Sequence, residues 1–238
     1  MDIFLDTANL DEIRRWLEYG LLDGVTTNPS IMLKDGAYDM EARAREIARL
    51  VEPRPVSVEV TTNDPSEMVR QAQRIASWAP NIVVKIPVIN QDGRPCLGVV
   101  RELKAARIRV NMTACLSYGQ AILGAKAGAT YVSIFAGRVA DEGHDAAGLI
   151  REVADWLQRW RCPTRIIAGS IREAINIKEA AAAGAHVITV PPPFLEKFVD
   201  HRYSRDTVRG FNEDAAEALA RMSELQAIAV RAGRRTPS

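Results

Sequence analysis

The sequence predicts an α/β protein: a closed (β/α)8 barrel of the TIM type carrying an additional C-terminal helix. Three observations lead there. Short runs rich in β-branched residues recur eight times along the chain, and each is continuous rather than alternating, as strands buried on both faces of a parallel sheet require. Helical patterns stand between these runs with no linker or break in composition. The length, 238 residues, is also one that such barrels commonly have. An open doubly wound sheet usually carries a glycine-rich turn after its first strand, and 6-DTANLDE-12 has none.

The elements follow in order. Strands are expected at 2–6, 23–28, 56–60, 81–87, 109–114, 131–137, 165–170 and 186–191. The first helix, 10–20, sets Leu10, Ile13, Trp16 and Leu17 on one face and stops at Gly20. The next, 64–79, opens with an Asp64 cap followed by Pro65, whose missing N–H costs nothing in the first turn. Further helices are expected at 97–106, 117–128, 145–160 and 172–185. After the eighth strand a helix near 205–232 has an apolar face of Ala215, Ala218, Leu219, Met222 and Leu225 that needs cover. One domain over 1–238, including that helix, is expected, with 231-RAGRRTPS-238 as a solvated basic tail.

Charge and composition exclude several classes of function. With 31 basic and 30 acidic residues the net charge is +1, which offers nothing to nucleic acid or an anionic membrane. No apolar run is long enough to span a bilayer, and the N-terminus has no basic segment leading into one, so neither a membrane span nor a secretion signal is expected. Cys96, Cys115 and Cys162 are odd in number and far apart, which fits a reducing, cytoplasmic setting. His144, His186 and His201 are scattered, and only His186 touches a predicted strand, at its N-terminal end; no metal is expected. Without a phosphate-binding loop or dinucleotide fingerprint, no cofactor is expected either.

Active sites of such barrels are built at the C-terminal ends of the strands. The polar residues of this chain collect there. Asp6 ends the first strand; Thr26, Thr27 and Asn28 end the second; Glu59 and Lys85 lie near the ends of the third and fourth. Asn111 and Thr113 follow on the fifth, Ser133 and Arg138 flank the end of the sixth, and Ser170 with Arg172 end the seventh. Lys85 stands out, because 81-NIVVKIPV-88 reads as a buried strand. An interior lysine can simply be paired with Asp6 or Glu59 to fill a polar layer. Two converging carboxylates and several amides and hydroxyls favour catalysis instead. An apolar wall of Val83, Val84 and Ile86 would favour the neutral amine that Schiff-base chemistry needs. Asp6 and Glu59 would then move protons, Glu59 through a water held by Thr113. Arg138, Ser170 and Arg172 form a second cluster suited to a phosphate, with Ser170 read as sitting at a helix N-terminus.

The segments 4-FLDTA-8, 24-GVTTNPS-30, 83-VVKIP-87, 110-VNMTA-114, 133-SIFAGR-138 and 169-GSIR-172 together resemble the transaldolases, closest to a short bacterial type that also includes fructose-6-phosphate aldolases. The resemblance covers essentially the whole chain. It implies that Lys85 is the Schiff-base lysine and Asp6 the proton carrier in C–C cleavage. It also implies that Glu59 and Thr113 position a catalytic water. Asn28, Asn111 and Ser133 would hold a dihydroxyacetone moiety, and Arg138, Ser170 and Arg172 the distal phosphate; Thr26 and Phe135 would line the same site. Fructose-6-phosphate aldolases carry glutamine where this chain has Glu59 and tyrosine where it has Phe135, so the resemblance implies a transferase. Expected partners are small sugar phosphates or similar anionic sugars, and the chain itself in a pentamer or decamer. The connection 88-VINQDGRPCLG-98, the AGSIR end of the seventh strand and the segment 191–211 depart from the family pattern. They leave open a transaldolase for another ketose such as sulfofructose; a separate alternative is an aldolase that releases free dihydroxyacetone, against which Glu59 and Phe135 argue.

Overall fold

In a computed structural model of the chain, residues 1–233 are described, with side chains described through Val230. The basic ending read as a solvated tail therefore lies outside the described side chains. The described chain falls into two compact units, Met1–Leu195 and the residues from Glu196 onward.

The first unit is a closed barrel of eight parallel strands in sequence order. They are β1 (Asp2–Asp6), β2 (Gly24–Thr26), β3 (Val56–Glu59), β4 (Ile82–Pro87), β5 (Val110–Cys115), β6 (Tyr131–Phe135), β7 (Arg165–Gly169) and β8 (Val187–Val190). The helices of this unit are α1 (Leu10–Glu18), α2 (Pro29–Lys34), α3 (Met40–Val51), α4 (Pro65–Ala76), α5 (Leu97–Ala105), α6 (Tyr118–Ala127), α7 (Ala136–Asp141), α8 (Ala146–Arg159) and α9 (Ala174–Ala182). After β8 come α10 (Pro192–Val199) and α11 (Arg202–Gly233). The α/β barrel with an additional C-terminal helix is thus as the sequence predicts. Among the described residues no helix is long and apolar enough to cross a membrane.

Local chemistry sets the helix ends. Asn9 caps α1 by accepting from the Asp11 and Glu12 N–H groups, and Gly20 follows the helix at φ 69°. Asp64 caps α4 at the Glu67 N–H with Pro65 in the first turn, as expected.

Side-chain alternation divides each strand between two environments. Val25, Val58, Val84, Ile86, Met112, Val132, Ile134, Ile166 and Ile188 face the helices in one continuous core. Phe4, Val83, Tyr131, Ile167 and Val187 form a separate buried cluster inside the barrel. Phe4 fills the space over Gly24, where a Cβ would come within 2.6 Å of its ring. This layout corrects the apolar wall expected around Lys85. Val84 and Ile86 point to the helices, and Val83 belongs to the cluster inside the barrel.

Other boundaries are corrected too. β2 ends at Thr26, so Thr27 and Asn28 lie beyond it, and Asn28 is the N-cap of α2. α2 and α3, between β2 and β3, were not expected. The sixth strand stops at Phe135 rather than at 137, and 136–141 turn into α7, which places Arg138 on a helix.

Candidate active site

Strand register brings the polar residues into one ring. Glu59 pairs with Lys85, Lys85 with Asn111, and Asp6 with Thr26. The Lys85 ammonium is buried and satisfied twice: Nζ lies 2.9 Å from Glu59 Oε2 and donates to the Thr27 carbonyl at 2.9 Å. Of the two partners open at the sequence level, Glu59 takes the ion pair. Strands β3 and β4 are neighbours, and the shared register aims both side chains into the barrel.

Beside the lysine, Ser133 Oγ donates to Asn111 Oδ1 at 2.7 Å, and Asn111 Nδ2 donates to Ser57 Oγ at 3.2 Å. The Asn111 amide is held in one orientation, and the asparagine is fully buried. Thr113 Oγ1 is also buried and has no hydrogen-bond partner among the described residues. A buried hydroxyl left in that state calls for a water or a ligand atom.

Asp6 accepts from Thr26 Oγ1 at 2.7 Å through Oδ1, and Thr26 Oγ1 contacts Thr189 Oγ1 in turn. Burial pushes the Asp6 carboxyl above the usual range; the Thr26 hydrogen bond and the Lys85 cation oppose it, while Glu59 and Asp35 add to it. Asp6 is not a helix cap, since Asn9 has that task and Asp35 Oδ2 takes the Thr7 hydroxyl and the Ala8 N–H.

One cleft of about 960 Å³, counted to its open mouth, is lined by Asp6, Thr26, Asn28, Lys85, Asn111, Thr113, Ser133, Phe135, Arg138, Ser170 and Arg172. Of the polar strand-end residues singled out from the sequence, only Thr27 and Glu59 do not line it, and both contact Lys85, which does. Arg138 lies over the Phe135 ring at 5.5 Å, and no carboxylate pairs with it among the described residues. Arg172 is held by Asp141 at 3.1 Å. Ser170 is corrected: the N-cap of α9 is Glu173, and Ser170 sits before it in a left-handed turn at φ 58°. Gly137 packs against that turn so closely that a Cβ would lie 1.9 Å from the Ser170 carbonyl oxygen.

Sequence reasoning missed Ser57, Thr189, Ser30, Ile31 and Lys34. The last four line the cleft, and Ser57 orients Asn111. Ser57 and Thr189 alternate with Val58 and Val190 in register with other inward residues, a signal that period-two reading of β3 and β8 could have found.

A family profile described as Transaldolase/Fructose-6-phosphate aldolase matches residues 3–233. The chain belongs to that family. Among curated relatives, a protein of Dehalococcoides mccartyi named "Probable transaldolase" is 41% identical to this transaldolase-family chain over 90% of it and 97% of the relative. Relatives of the same name from Roseiflexus sp. and Chelativorans sp. are 45% and 43% identical over 84% and 91% of the chain, and 90% and 97% of their own lengths. Solved structures share the fold at low identity. A thiamine phosphate pyrophosphorylase from Pyrococcus furiosus aligns with TM-score 0.55 and 14% identity over 80% of the transaldolase-family chain and 85% of its own. A mandelate oxidase mutant aligns with TM-score 0.56 and 14% identity over 80% and 64%.

Proposed function

We propose that the protein is a class I transaldolase. It moves a dihydroxyacetone unit from a ketose phosphate, such as fructose 6-phosphate or sedoheptulose 7-phosphate, to an aldose acceptor through a Schiff base on Lys85, without a cofactor. The observation that carries this reading is the buried Lys85 amine 2.9 Å from Glu59, at the base of a cleft whose wall holds two guanidiniums.

Because Lys85 is ion-paired, its free amine arises by passing a proton to Glu59. Nζ adds to the C2 carbonyl, and one nitrogen proton shifts to the new alkoxide. The carbinolamine hydroxyl then leaves as water when Glu59 returns its proton, giving an iminium. The unpartnered Thr113 hydroxyl is the group that would hold this water. Asp6 takes the C4 hydroxyl proton, the C3–C4 bond breaks, its electron pair moves into the enamine, and the aldehyde leaves. An acceptor aldehyde adds to the enamine carbon, Asp6 protonates the new alkoxide, and water releases the product from Lys85. A raised Asp6 proton affinity suits a group that must both take and give a proton.

Asn28, Asn111 and Ser133 hold the three-carbon unit, and Arg138, Ser170 and Arg172 take the distal phosphate. Glu59 and Phe135 favour transfer over release of free dihydroxyacetone, because a phenyl ring has no proton to give. A homo-oligomer is part of the proposal: Leu219, Met222 and Leu225 on α11 are each at least half exposed, and light scattering that returns a monomer overturns that part.

The test is borohydride reduction with fructose 6-phosphate, followed by peptide mapping, together with glyceraldehyde 3-phosphate release with and without erythrose 4-phosphate. An adduct on Lys85 and release that depends on the acceptor are expected. An adduct elsewhere, or none, refutes the Schiff base; release without acceptor makes the protein an aldolase.

A further inference from the structure

The side chains around Asp6 form a chain of hydroxyls that ends on a residue outside the reading above. Thr26 on β2 has a single hydroxyl proton and directs it to Asp6 Oδ1 at 2.7 Å. Thr26 Oγ1 also touches the Thr189 hydroxyl on β8. With the Thr26 proton committed to Asp6, the proton in the second contact comes from Thr189. Both threonines are more than nine-tenths buried. β1 lies between β2 and β8, so the two hydroxyls meet from the strands on either side of the one that carries Asp6, and only Thr26 reaches the carboxylate. Thr189 pairs with Phe4 in the register, one layer nearer the barrel interior than Asp6.

We propose that Thr189 is a positioning residue: through Thr26 it fixes the orientation of the Asp6 carboxylate and sets how tightly Asp6 holds a proton. This inference rests on the role given to Asp6 above.

A carboxylate oxygen that accepts a hydroxyl proton is stabilised in its charged form, and a donor that is itself a hydrogen-bond acceptor donates more strongly. The chain from Thr189 therefore opposes the burial that pushes Asp6 upward. It also engages Oδ1 and leaves Oδ2 as the oxygen that exchanges a proton with substrate. The charged groups facing Asp6 are Lys85 on β4, Glu59 at the end of β3 and Asp35 after α2. Among the described residues none of them is hydrogen-bonded to Thr189, and β8 carries no charged side chain, so removing the hydroxyl acts on the donor chain.

Replacing Thr189 by Val keeps the side-chain shape and removes the hydroxyl, and Thr189→Ala serves as a second variant should valine disturb the packing. In protein carrying carboxyl-13C aspartate, with the Asp6 signal assigned by its loss in Asp6→Asn, the Asp6 titration is expected to move to higher pH by roughly half a unit to one unit. Thr189→Ser is expected to restore it. An Asp6 titration identical in wild type and both hydroxyl-free variants overturns the inference. The acid limb of the kcat profile for donor cleavage should move with the titration. A titration that moves while the rate profile stays fixed upholds the hydroxyl chain and refutes the role of Asp6 in the proposed reaction, so the two failures are told apart.

Discussion

Gly137 offers the sharpest test of how the anion wall is built. Replacing it by alanine puts a Cβ 1.9 Å from the Ser170 carbonyl oxygen and 2.6 Å from Arg172 Cγ. The arginine methylene can swing aside, but the carbonyl belongs to a backbone already in the left-handed region at Ser170. To restore ordinary contact the turn must retreat by about 1.5 Å, from 1.9 Å to the 3.4 Å at which such contacts become normal. Overpacking of this kind costs about 1–3 kcal/mol. For a chain of this size that is a fall in Tm of roughly 2–12 °C. On the proposed function, the same retreat would pull Ser170 and Arg172 off the donor's distal phosphate. Losing one charge-assisted hydrogen bond there lowers kcat/KM for a phosphorylated donor by roughly 10- to 100-fold, while a donor without the phosphate loses far less. The assays are a thermal melt and steady-state kinetics on both donors. Gly98→Ala is the control: its Cβ meets nothing within 4 Å, and the residue lies in α5, so neutral or slightly higher stability is expected. A Gly137→Ala protein with wild-type Tm and wild-type kcat/KM on the phosphorylated donor refutes this account of the wall.

Three further outcomes follow from the geometry. Arg138→Ala removes the guanidinium over Phe135 and should cut kcat/KM for the phosphorylated donor by about 10-fold or more, with the Lys85 adduct still formed at saturating substrate; loss of the adduct there argues against a purely binding role. Asn111→Ala leaves the Ser57 and Ser133 hydroxyls without their shared partner and should cost about 2–4 kcal/mol in urea unfolding; an unchanged midpoint counts against the network. His186 takes the Ile166 N–H on Nδ1 at 3.1 Å and is held below its ordinary value first by burial, then by the Arg165 cation and the N-terminal amine. The folded protein keeps this ring neutral, whereas the unfolded chain protonates near the ordinary value of 6.5. Its contribution is therefore complete above that pH and is lost as pH falls below it. Wild type minus His186→Gln stability, which cancels the opposite trend of Asp6, should shrink between pH 7.5 and pH 5.5; a constant difference refutes the assignment.

The barrel was legible because its strands are short continuous runs of Val, Ile and Thr, which sheets buried on both faces demand. The site was legible because polar residues interrupt those runs near their C-terminal ends. The pairing of Lys85 was not, since Asp6 and Glu59 are equivalent by spacing and only the register of β3 on β4 separates them. α3 carried its signal openly: Ala44, Ile47, Ala48 and Val51 are buried at helical spacing behind an Asp39 cap. The sequence reading places no helix between β2 and β3, so α2 and α3 both lie outside it. Thr189 looked like one more β-branched strand residue, and its partner Thr26 lies 163 residues away. Contacts across that distance leave no local mark in a sequence.

The cluster of Phe4, Val83, Tyr131, Ile167 and Val187 inside the barrel has a consequence for molecular traffic. With those rings and branched side chains packed together inside the barrel, its interior is filled there and, among the described residues, leaves no passage through the core. On the proposed chemistry, the aldehyde split from the donor must back out through the opening by which the acceptor enters. The two sugars then take turns rather than meeting inside, and the carbon fragment waits on the enzyme in the interval. Double-reciprocal plots at several acceptor concentrations should therefore run parallel, a kinetic pattern imposed by the plugging of the barrel as much as by the bond at its centre.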